Sequence, residues 1–123
     1  MWKYANPNPK NKHVGDCVIR AVSLAFDKTW VDAYVDIIAE GLRQLDMPSA
    51  NHVWATYLLN KGCRMEDISP LENWTIASFT DAHPEGTYIL ATGSHVVTVI
   101  DGDYYDTWDS GSETPIFVFW KEM

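Results

Sequence analysis

Two residue types in this chain can combine for nucleophilic and proton-transfer chemistry: cysteine, at Cys17 and Cys63 only, and histidine, at four positions including His95. Cys17 opens a stretch in which Val18, Ile19, Val22, Ala25 and Phe26 recur at three- and four-residue spacing. The thiol therefore falls in the first turn of a buried helix, with Asp16 as its N-cap and Asp27 at its end. The first N–H groups of a helix lack intrahelical acceptors and sit at the positive end of its dipole, and both effects favour a thiolate. His95 follows Gly93-Ser94 at the start of a β-branched run, where a side chain can project from the sheet edge into a groove. A histidine that takes a thiol proton needs a third group to fix its tautomer and stabilise its cation. Thiolate, imidazolium and carboxylate together attack carbonyl carbon.

Two carboxylates, Asp106 and Asp109, could serve as that third group, and hairpin register separates them because side chains alternate faces along a strand. If Asp101-Gly102 forms a two-residue type I′ turn, Ile100 faces Asp103 and Asp106 shares the face of His95 on the diagonal. If the loop takes Asp101 to Asp103, Ile100 faces Tyr104 and Asp109 lies opposite His95. The Asp-Gly pair favours the shorter turn; Asp109 remains the alternative.

The elements that must position these residues read as helices first and strands afterwards, an α+β order. From Lys3 to Gly15, two Asn-Pro pairs push the chain into an extended arm or loop. After the helix that begins at Asp16, Thr29 starts a second, with Asp32 three residues on and Val31, Tyr34, Ile38, Leu42 and Leu45 on one inward face. Met47-Pro48-Ser49 breaks it, and a third helix from about Ala50 to Asn60 turns Val53, Trp54, Tyr57 and Leu58 inward before Gly62. Thr75 to His83 reads as a short fourth helix with Ile76 and Phe79 inward. The period then changes to that of strands at Thr87–Ala91, Val96–Ile100, a run through Tyr104-Tyr105, and Ile116–Trp120. The expected architecture is a helical layer carrying Cys17 packed on an antiparallel sheet carrying His95, with a cleft where they meet.

At 123 residues the chain has room for one domain, residues 1–123, and little for a separate specificity subdomain. Its formal net charge of −8 repels phosphate backbones and anionic lipid, so nucleic acid and membrane are not expected partners. No apolar run approaches the ~20 residues of a membrane span, and no hydrophobic signal core follows Met1, which points to the cytoplasm. Two cysteines without Cys-x-x-Cys spacing argue against a disulfide scaffold and a structural zinc, and no cofactor is expected. Cys63, after Gly62 and near a strand start, reads as buried packing. His13, His52 and His83 are scattered in loop or helix positions, and no metal is assigned to them.

The order of cysteine at a helix start, histidine at a strand start and Asn or Asp on the next strand resembles that of papain-like cysteine peptidases. Asp106-Thr107-Trp108 resembles the Asn-Ser-Trp element of that family, with Trp108 shielding the His–Asp contact. Asn11, six residues before Cys17, falls where the family places the Gln that completes the oxyanion hole. The stretches Gly15-Asp16-Cys17-Val18-Ile19-Arg20-Ala21 and His95 to Gly102 are also similar to those of small papain-fold proteins of bacteriophages and prophages. Departures are Asn11 for Gln, Asp106 for Asn, and no Gly-rich tract after the cysteine. The resemblance implies a papain-like fold and a monomeric, phage-encoded cysteine peptidase or related thiol acyl hydrolase, acting on a peptide or protein through Cys17, His95 and Asp106. Asn11 would serve the oxyanion, and Trp54 and Trp108 would line the substrate groove. The competing reading is a papain-fold binding module that captures or inhibits a host protein. A cell-wall amidase would use the same chemistry but would need an export route.

Overall fold

The structure, a computed structural model, describes residues 1–68 and 73–120. Among the described residues, four helices and six strands follow one another as β1 (Trp2–Tyr4), α1 (Cys17–Ala25), α2 (Trp30–Gln44), α3 (Asn51–Asn60), β2 (Arg64–Asp67), α4 (Ile76–Ala82), β3 (Thr87–Ala91), β4 (Val96–Ile100), β5 (Asp103–Asp106) and β6 (Phe117–Trp120). The strands form one sheet in the order β1-β5-β4-β3-β6-β2. The fold class is α+β, as the order of helical and strand periods predicts.

The inner strands alternate between two cores, as a sheet with both faces covered must. Ile89, Ala91, Val96 and Phe119 face α1, α2 and α3, where they meet Ile19, Val22, Ile37, Trp54 and Leu58. Leu90, Val97, Val99 and Val118 face the other way onto Ile76 and Phe79 of α4. The expectation of a single helical layer is thus corrected: α4 covers the opposite face, because the central strands are apolar on both sides. The sheet is also not wholly antiparallel. β1 pairs parallel to β5, with Tyr4 opposite Asp106, in a segment expected to be an extended arm. A three-residue edge strand whose partner lies a hundred positions away leaves no local periodicity to read.

The second helix starts where expected, with the Thr29 side chain accepting from the Asp32 N–H at 3.1 Å, but it buries a different face. Ala33, Ile37, Glu40 and Gly41 are inward, while Val31, Tyr34, Leu42 and Leu45 are exposed. Small residues decide this. A Cβ on Gly41 would lie 2.9 Å from the Asp46 carbonyl and 3.3 Å from the Pro48 nitrogen, so the chain reversal after α2 packs directly on its backbone. The other helices bury the residues expected of them: Val53, Trp54, Tyr57 and Leu58 on α3, Ile76 and Phe79 on α4. Cys63 is buried in the core under α1 to α3.

One contact ties the helix bearing Cys17 to the sheet, and two within the sheet fix the position of Asp106. Thr98 on β4, fully buried, donates its hydroxyl to the Ala21 carbonyl of α1 at 2.9 Å. The β4–β5 hairpin turns through Asp101 (φ 49°) and Gly102 (φ 82°), with Ile100 opposite Asp103. Both turn residues are in the left-handed region that a type I′ turn requires, which fixes the register of Asp106. On its other side β1 holds the Asp106 carbonyl, which accepts from the Ala5 N–H at 3.1 Å and from Trp2 Nε1 at 3.2 Å.

Candidate active site

Cys17 is the first residue of α1, half-buried, and its thiol is hydrogen-bonded to His95 and to the N–H of Val96. His95 precedes β4 after a turn in which its N–H donates to Thr92 Oγ1 at 3.1 Å. Its Nε2–H donates to Asp106 Oδ2 at 2.6 Å, which leaves Nδ1 as the nitrogen for Cys17. Cys17, His95 and Asp106 are therefore brought together in one line, as the short Asp-Gly turn predicts.

Asp109, the alternative orienting carboxylate, is occupied elsewhere. It accepts from the Tyr104 hydroxyl at 2.5 Å and from the Gly111 N–H at 3.0 Å, closing the loop beyond β5 rather than meeting His95. That loop also brings in Ser110, a residue that strand register does not assign to the site: its buried hydroxyl donates to Asp106 Oδ2 at 2.7 Å. The Thr107 N–H donates to Asp106 Oδ1 at 2.8 Å, and Arg20 Nη2 donates to the same oxygen at 3.1 Å. Asp106 is 1% exposed, with its carboxylate satisfied on both oxygens.

These partners set the charges. Burial by itself raises the Cys17 thiol, but hydrogen bonds from His95 and the Val96 N–H, with the positive charges of His95 and Arg20, outweigh it and leave the thiol below its ordinary value. Burial by itself lowers His95, but its bonds to Asp106 and Cys17 outweigh that and push it up to about 9. Asp106 is held below the usual carboxylate range: burial opposes this, and the bonds from His95 and Ser110 prevail. Thiolate, imidazolium and carboxylate are the mutually favoured states.

A cavity of about 1000 Å³ opens over Cys17 and His95, walled by α1, α2, α3 and the adjoining strands. Trp54 and Trp108 both line it, where the sequence places a groove. Trp54 is fixed by Asn51, whose Oδ1 accepts from Nε1 at 3.1 Å, and by an edge contact to Phe119. Trp108 lies against His95, ring centres 5.2 Å apart, with 47% of its surface exposed. The wall is mainly apolar, and the His–Asp contact is kept from water by the burial of its partners, the His95 side chain being 12% exposed and that of Asp106 1%.

The oxyanion assignment of Asn11 is not met. Asn11 is exposed, adopts φ 57°, and does not line the cavity. Its segment folds upon itself: the Asn11 N–H donates to the Asn8 carbonyl at 2.9 Å, and Asn11 Oδ1 accepts from Asn6 Nδ2 at 3.4 Å. Asn8 Oδ1 accepts from the N–H groups of Lys10 and Lys12, so an Asn-rich turn consumes what the spacing alone assigns to the site. The donors beside Cys17 are instead the first N–H groups of α1, free of intrahelical acceptors by position.

The remaining histidines stand apart from this line. His52 on α3 pairs with Asp46 at 2.6 Å, His83 Nδ1 bonds the Phe79 carbonyl at 2.8 Å, and His13 is exposed in the arm. Among the described residues, no helix is long and apolar enough to cross a membrane. Comparison with protein-family models, with curated proteins and with solved structures finds no match to this chain.

Proposed function

We propose that this chain is a papain-like thiol hydrolase: a cysteine peptidase or related acyl hydrolase that cleaves amide, isopeptide or thioester bonds through Cys17, His95 and Asp106. The observation that carries this reading is the hydrogen-bonded line from the Cys17 thiol through the His95 ring to the buried Asp106 carboxylate, facing an apolar cavity. Such a line serves one purpose poorly explained by packing, the maintenance of a thiolate beside an imidazolium.

In this reading His95 Nδ1 holds the proton of Cys17, and the thiolate sulfur bonds the substrate carbonyl carbon. The oxyanion that results is met by N–H groups at the start of α1, each worth about 3 kcal/mol in comparable sites. Collapse breaks the bond to the leaving group, which takes the proton from His95 Nδ1. Water then attacks the acyl-Cys17 thioester, giving up a proton to His95, and the carboxylic acid leaves as the thiolate re-forms. Asp106 keeps the ring in place throughout and stabilises its cation. A peptide or protein substrate, cytoplasmic action and a phage origin belong to the same proposal, resting on the resemblance of the Gly15–Ala21 and His95–Gly102 stretches and on the −8 charge.

The test is intact-protein mass spectrometry after mixing the protein with peptide amides, isopeptides and thioesters. An acyl adduct on Cys17, absent in Cys17→Ser, is expected. Turnover should rise as Cys17 ionises at its depressed value and fall as pH passes about 9, where His95 loses its proton. Folded protein that gives neither adduct nor turnover with any of the three classes would leave the binding-module reading in its place.

A further inference from the structure

Beneath the reacting groups lies a second buried cluster that the acyl-transfer steps do not use. Arg20, one turn after Cys17 on α1, is 7% exposed and donates from Nη2 to Asp106 and from Nη1 to Asp16. Asp16, 5% exposed, also accepts from Trp30 Nε1 at 2.8 Å. Asp16 occupies the N-cap position of α1 and is a residue type well suited to capping, yet its side chain makes no capping bond. Its carboxylate is drawn inward by Arg20 and Trp30 instead.

This diversion has a chemical consequence. An aspartate immediately before a nucleophilic cysteine places a negative charge where a thiolate must form, and a like charge at that range disfavours ionisation. A carboxylate in the capping position would also occupy the N–H groups that face the oxyanion. We propose that Arg20 is a positioning residue for the reaction: its guanidinium neutralises Asp16, withdraws it from the head of α1, and holds Asp106 Oδ1 so that Oδ2 faces His95. The proposal rests on the thiol-hydrolase reading and extends it to a residue that touches no substrate. Arginine meets the two carboxylates through separate nitrogens of one rigid, permanently charged fork, a geometry that the single ammonium of lysine does not reproduce.

The groups around Cys17 that can carry charge are Asp16 and Arg20 on its own segment, Tyr34 from α2, His52 from α3, His95 at the head of β4, and Asp106 behind it on β5. Of these, Asp16 can be exchanged without touching Asp106, whereas Arg20 also bonds Asp106 Oδ1, so the two variants together separate the charge of Asp16 from the support of Asp106. The measurement is the pH dependence of iodoacetamide modification at Cys17 in wild type, Arg20→Met, Asp16→Asn and the double variant, with a thermal melt of each. Arg20→Met is expected to move the Cys17 midpoint upward by about one pH unit. The double variant should move back toward wild type, because the charge that Arg20 offset is then absent. If Arg20→Met melts lower but titrates as wild type, or if the double variant titrates with Arg20→Met, Arg20 is only a structural clamp and the proposal falls. Should Arg20→Met not fold, Asp16→Asn decides: a midpoint below wild type supports the proposal, and an unchanged one overturns it. An ordinary thiol at Cys17 in wild type would instead remove the thiol-hydrolase reading itself.

Discussion

Replacing Asp106 with alanine is expected to destabilise the protein by about 3–5 kcal/mol, the range for removing one partner of a buried ionic group. The expectation follows from what would be left behind. Arg20 Nη2, the Ser110 hydroxyl, the Thr107 N–H and the His95 Nε2–H all converge on this carboxylate in a site 1% exposed. Deletion strands four donors without water to replace the acceptor. Asp106→Asn separates fold from chemistry, since the amide keeps the volume and can still accept on one oxygen, but it presents N–H to His95. The imidazole must then accept on Nε2 and carry its proton on Nδ1, so it cannot take a proton from Cys17 in that state. Urea unfolding should show most of the stability restored in Asp106→Asn while Cys17 reverts to an ordinary thiol. A loss below about 1 kcal/mol in Asp106→Ala, the range of exposed ion pairs, would contradict the buried network.

The second large effect is expected from His95→Ala. The Cys17 thiol then loses a hydrogen bond and a positive charge, and burial, which acts to raise it, is left opposed by the Val96 N–H, by Arg20 and by the head of α1. An ordinary thiol of pKa about 8.5 is ionised to only about 0.3% at pH 6. The higher intrinsic nucleophilicity of a more basic thiolate offsets part of that, so the alkylation rate at Cys17 should fall on the order of tenfold at pH 6. Ultraviolet thiolate absorbance, titrated in wild type and variant, checks the shift directly. Coincident titrations would show that His95 does not govern the thiol.

Much of the site was legible because it rests on local rules. The three- and four-residue spacing after Asp16 places Cys17 at a helix start, and Asp101-Gly102 dictates a two-residue turn, from which the register of Asp106 follows. What was not legible depends on long-range packing. The inward face of α2 differs from that expected because Ala33 and Gly41 allow backbone to come close, an effect invisible to a count of large apolar residues. Asn11 has the right spacing but the wrong surroundings, its neighbours Asn6 and Asn8 having closed a turn around it. β1 reaches Asp106 from about a hundred positions away and carries no signal of its own, and Ser110, four residues after Asp106, returns to it through a loop that strand register does not describe. Arg20 did carry one: an Asp and an Arg four apart at the start of a largely apolar helix form a pair that must be satisfied internally.

The central claim, that Cys17 is an activated nucleophile and Cys63 is packing, is tested most directly by competitive alkylation within one molecule. Native protein is treated with a limiting amount of iodoacetamide across a pH series, quenched, digested, and the two cysteine peptides compared. Cys17 is half-buried at the cavity wall and hydrogen-bonded to His95, whereas Cys63 is 8% exposed within the core. Modification of Cys17 should be well advanced below pH 7, with Cys63 unmodified until the protein unfolds. Equal and slow modification of both residues, rising together only toward the pKa of a free thiol, would contradict the account.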